Sequence, residues 1–82
     1  MTIQLMQGEY SPADTLDLIT QMIHVKIKYH EKKMIQQNNE RNIKMQENII
    51  RQLQKDLFEA RKKMEKESSN ISIESQINFI NY

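Results

Sequence analysis

The 82-residue chain contains no cysteine, one glycine and one proline. Without cysteine it can form neither a disulfide nor a thiolate metal site. With so few helix breakers, the sequence favours long helices. It also lacks long apolar runs: Leu18-Ile19 and Ile49-Ile50 are typical, far short of the roughly 20 residues a membrane span requires. Nor does one charge sign dominate, with 12 Lys+Arg against 11 Asp+Glu. That balance gives no global attraction to nucleic acid or a membrane surface. No basic segment followed by an apolar stretch opens the chain, so the expected location is cytoplasmic.

What is present is a mirrored pattern. One apolar stripe runs Leu16, Ile19, Ile23, Ile27, His30, Met34, and a second runs Ile43, Gln46, Ile50, Leu53, Leu57, Ala60. Both keep the three- and four-residue steps of a helix face. Folding the chain back at Asn38-Asn39 pairs them in layers, Met34 with Ile43 through to Leu16 with Ala60. His30, the polar member of the first stripe, then falls opposite Gln46, the polar member of the second. The expected fold class is all-α: an antiparallel, coiled-coil-like two-helix hairpin that assembles into a four-helix bundle as a homodimer, with short extended terminal segments.

The expected boundaries follow from local signals. Residues 1–10 read as an extended segment, weakly strand-like at Ile3 and Leu5 and broken at Gly8. The hairpin occupies 11–67, with helices at about 12–37 and 40–67. Ser11 suits a helix cap and Pro12 the first helical position. Asn38 and Asn39 suit the end of one helix and the cap of the next. In the tail, 68–82, Ser68-Ser69-Asn70 stops the second helix. Beyond it, Ile71, Ile73, Ile77 and Phe79 stand at even spacing, which fits a strand paired with residues 2–7 or with a neighbouring chain, or disorder. A single unbroken helix in a parallel coiled coil is the rival architecture. It would put Asn39, Gln36 and Lys32 at three successive seam positions, which favours the hairpin.

The first helix carries a second apolar stripe, Leu18, Met22, Val25 and Tyr29, about 140° round from the seam. A hairpin partner covers only one of the two sides. The energetics also argue for company: ordering each residue costs about 1–2 kcal/mol, against about 1.5–3 kcal/mol for each fully buried large apolar side chain. The second stripe is therefore the expected contact with a second copy, in a homodimer or higher even oligomer, or with an unidentified protein partner.

No enzyme chemistry is expected. His24 and His30 stand six apart, about 120° apart on a helix, and cannot chelate one metal ion. His30 could act as a pH-sensitive layer, because protonation would bring charge into the seam. There is no glycine-rich phosphate loop and no serine beside a candidate base, so no catalytic residue, cofactor or metal ligand is assigned. Nucleic-acid binding is the alternative. Residues 21–67 hold twelve bases and seven acids, with clusters at Lys26, Lys28, Lys32, Lys33 and at Arg61, Lys62, Lys63, Lys66. Glu31, Glu59, Glu65 and Glu67 interrupt those clusters, which favours a solvated helix face.

The stretch Gly8-Glu9-Tyr10-Ser11-Pro12-Ala13, followed by residues 23–33 and the asparagine-rich turn, resembles short uncharacterised bacterial helical-hairpin proteins. The resemblance covers most of residues 1–65. That group has no assigned activity, so the resemblance implies a hairpin and no catalytic or ligand residues. The expected function is a non-enzymatic oligomerisation or protein-interaction module: an adaptor, scaffold or small regulatory subunit.

Overall fold

The computed structural model describes residues 1–36 and 39–81. The expected end of the first helix at residue 37 and the reversal at Asn38 lie outside the described residues, as does Tyr82. Four elements follow one another: strand β1 (Thr2–Tyr10), helix α1 (Pro12–Gln36), helix α2 (Glu40–Lys66) and strand β2 (Ile71–Asn78). The helices pack against each other, and the strands pair antiparallel into a two-stranded sheet.

The all-α expectation is therefore corrected to a mixed α/β fold. Helices hold 66% and strands 22% of the described residues. The terminal segments are not merely extended, because they pair along nearly their whole length, from Thr2 with Asn78 to Tyr10 with Ile71. An all-α four-helix bundle no longer describes a chain that carries this sheet. The physical reason lies in the hairpin itself. It returns both ends of the chain to one place, where the alternating isoleucines of the tail can satisfy their backbone groups on β1.

Local chemistry sets the element ends. Ser11 Oγ accepts from the Asp14 N–H at 3.1 Å, and Ser11 C=O accepts from the Thr15 N–H at 2.9 Å. Pro12, which has no N–H to lose, takes the first helical position. Asn39 caps α2, its side chain accepting from the Asn42 N–H at 2.8 Å. Glu67 leaves the helix in an extended conformation (φ −86°, ψ 135°).

The sheet is amphipathic, but its alternation is interrupted. The register slips between Gln4 and Met6, so Leu5 is an extra, bulged residue. Before the bulge Ile3 shares a face with Ile77; after it Met6, Gly8 and Tyr10 share that face with Ser75, Ile73 and Ile71. The opposite face is polar: Thr2, Gln4, Gln7 and Glu9 beside Asn78, Gln76, Glu74 and Ser72. The Gln4 side chain spans the gap in the ladder, donating to Met6 C=O at 2.9 Å and to Ser75 C=O at 3.2 Å.

The strand also continues through Gly8, where a break was expected. It does so at φ 141°, a conformation that side-chain-bearing residues rarely adopt. No heavy atom lies within 4 Å of where a Cβ would stand, so the demand for glycine here is conformational and not steric.

The molecule is a thin slab, 46 × 32 × 14 Å. A 27-residue helix is about 40 Å long, and an eight-residue strand about 26 Å. Their sum exceeds the longest dimension, so the sheet does not simply extend the hairpin along its axis. Contacts between sheet and helices are sparse. The radius of gyration is 15.4 Å, against about 12 Å for a compact chain of this length. Among the described residues, only three apolar side chains, Met6, Leu57 and Met64, are buried.

Replacing Gly8 with alanine should lower stability by about 1 kcal/mol or more through backbone strain alone. Thermal unfolding followed by circular dichroism should show a fall of several degrees, about 4–8 °C per kcal/mol for a domain this small.

Candidate interaction surface

None of the twelve seam positions is exposed. Leu16, Ile19, Ile23, Ile27, His30 and Met34 on α1 are half-buried, as are Ile43, Ile50, Leu53 and Ala60 on α2. Gln46 and Leu57 are buried. Incomplete burial is what a seam between only two helices provides, because solvent flanks it on both sides.

The polar layer of the seam is a directional relay. Lys33 C=O can only accept a hydrogen bond, and the Asn42 amide nitrogen donates to it at 3.2 Å. This turns Asn42 Oδ1 toward Gln46, whose Nε2 donates to it at 3.2 Å. Gln46 Oε1 is left facing His30 Nδ1 at 2.6 Å. An amide oxygen cannot donate, so Nδ1 carries the hydrogen. Asn42 and Gln46 retain only 7% and 6% exposure, which makes satisfaction of their polar atoms obligatory. The Tyr29 ring meets the His30 ring edge-on, their centroids 5.2 Å apart.

The second stripe of α1 lies on the surface. Leu18 is half-buried, while Met22, Val25 and Tyr29 are 39%, 69% and 54% exposed. Met22 and Val25, with Ile23 and Lys26 beside them, line an open apolar cavity of about 400 Å³. The cavity lies on the outer side of α1, and no part of α2 or the sheet lines it. Ile23 thus serves both the seam and this outer hollow. Tyr29 closes the stripe, with Lys33 Nζ 5.6 Å from the centre of its ring. On α2, Lys62 Nζ stands 4.9 Å from the Phe58 ring centre. These two members of the basic clusters thus lie over rings of their own helices.

His24 is exposed on α1. Among the described residues, no group of three or more histidine or acidic side chains could hold a metal ion, and no helix is long and apolar enough to cross a membrane. No family model, curated protein or solved structure matches the chain.

Three buried residues escaped the sequence reading: Met6, Thr15 and Asn42. Asn42 had a visible signal, standing one helical turn before Gln46 on the same face. Met6 had none that survives the bulge at Leu5. Thr15, 1% exposed in the first turn of α1, keeps a hydroxyl with no hydrogen-bond partner among the described residues.

The relay makes a cycle of variants informative. Gln46→Leu alone strands the His30 N–H and should destabilise by about 1–3 kcal/mol. Adding His30→Leu should recover much of that loss, because the stranded donor goes too. Urea unfolding of the two single variants and the double variant measures the coupling.

Proposed function

We propose that this chain is a non-enzymatic interaction module that self-associates through the outer face of α1, serving as an adaptor, scaffold or small regulatory subunit. The contact residues in this reading are Leu18, Met22, Val25 and Tyr29. The partner is a second copy, whose own α1 presents the same stripe. The reading places this work in the cytoplasm, on sequence grounds alone.

One observation carries the proposal: the chain has too much surface for its mass. It exposes 6800 Å², against about 5,200 Å² for a compact protein of its size. A standard protein interface takes about 800 Å² from each partner, so the excess is ample for one. The apolar hollow between Met22 and Val25 gives such a contact a place to centre. Exposed polar residues Asp17, His24, Lys28 and Glu31 border the stripe on one side of α1.

The test is mass in solution by light scattering at micromolar concentration. Met22→Glu combined with Val25→Glu should shift the parent assembly toward monomer, while circular dichroism shows the helices retained. A parent that is already monomeric, or a double variant that assembles like the parent, would sink the reading.

A further inference from the structure

The two edges of the sheet differ. The Phe79 N–H donates to Met1 C=O at 2.8 Å, and this fixes the phase of the ladder. Backbone groups alternate sides along a strand, and β2 has no bulge. The odd-numbered residues of β2 therefore bond to β1. The N–H and C=O groups of Ser72, Glu74, Gln76 and Asn78 point outward from the open edge. They are evenly spaced, with no proline, glycine or lysine to blunt them. The outer edge of β1 is irregular: its outward positions run Thr2, Gln4, then Gln7, Glu9, thrown out of step by the bulge at Leu5, and Gly8 adds its own kink.

We propose that the open edge of β2 pairs antiparallel with β2 of a second copy, giving a four-stranded sheet in the order β1-β2-β2-β1. This gives the self-association reading a second contact, made by backbone, and it rests on that reading only for the identity of the partner. The side chains select the register. Opposed residues must share a face, so a two-fold axis must pass through a residue. An axis at Glu74 sets two carboxylates directly against each other. An axis at Ile73 leaves Gln76 and Asn78 unpaired. An axis at Ser75 pairs Ile73 with Ile77 and Ile71 with Phe79 on the apolar face. On the polar face it pairs Glu74 with Gln76 and Ser72 with Asn78. Every apolar residue then meets an apolar one, and Glu74 meets an amide. A two-stranded sheet is marginal alone. Two added strands would also enlarge an apolar face on which Ile3 and Ile77 are still part-exposed.

The absence of native cysteine makes cross-linking a clean test. In this register the two copies of residue 75 form a non-hydrogen-bonded pair with Cα atoms about 4.5 Å apart, within disulfide reach. In full-length protein with oxidised glutathione, Ser75→Cys should form covalent dimer at least about tenfold faster than Ser72→Cys, which faces Asn78 of the other copy. Adding Gln76→Pro, which removes an outward N–H and no bond to β1, should abolish that advantage. Gln76→Glu, which leaves the backbone untouched, should slow cross-linking at low salt and release it at high salt by opposing Glu74. Equal rates for the two cysteine variants, or a Ser75→Cys advantage that survives both Gln76 changes, would overturn the pairing. The helix reading is judged separately. Loss of association in the α1 double glutamate variant while Ser75→Cys shows no advantage sinks the edge alone; an undiminished Ser75→Cys advantage in a chain that ignores those glutamates sinks the helix contact alone.

Discussion

The hydrogen bond between His30 and Gln46 is the constraint on which the remaining architecture depends. It is the end of a relay that begins at the Lys33 carbonyl and runs through Asn42 and Gln46. Sliding one helix past the other would break the two bonds that cross between them, His30 with Gln46 and Asn42 with Lys33 C=O. Apolar contacts alone resist such a slip far less, since one large aliphatic side chain packs against another about as well as against a third. The relay therefore sets the register of the hairpin. That register sets where residues 10 and 71 emerge, and this allows β1 and β2 to find each other across almost the whole length of the chain.

The second governing fact is the absence of an interior. Two helices and two strands, laid one layer thick, cannot surround anything. The stabilising contacts are two separate seams, one between helices and one between strands, joined at the Tyr10–Pro12 and Lys66–Ile71 connections. Most large apolar side chains are therefore half-buried at best. Val25 and Tyr29, on α1, stay 69% and 54% exposed. Such a molecule puts its free energy into surfaces that are finished by contact with something else, which is the physical basis for reading it as an interaction module.

The helical half of this architecture was legible in the sequence because its information is local and periodic. The two mirrored stripes set His30 opposite Gln46, and the 2.6 Å contact lies there. Ser11 and Pro12 announce the start of α1 through capping chemistry that acts over three or four residues. The sheet was less legible for definable reasons. Its partners are up to 76 residues apart (Thr2 with Asn78), so no local window contains both. The bulge at Leu5 switches the apolar face from odd positions to even ones, which hides β1 from any search for simple alternation. Gly8 reads as a breaker, yet its freedom at positive φ is what lets the strand run on. On the surface of α1, the stripe from Leu18 to Tyr29 could be read from spacing. The hollow between Met22 and Val25 could not, because it depends on side-chain shape.

The bulge has one more consequence. A ladder with two equally regular margins can recruit neighbours indefinitely, which is the geometry of a fibril. Here one margin is crooked, with its carbonyls and amides out of cadence and Gln4 folded over the defect. Any ribbon built on the straight margin is bounded on both flanks by crooked ones. In any assembly of that kind, an accident of register in a nine-residue strand would work as a terminator, separating a finite particle from runaway polymerisation.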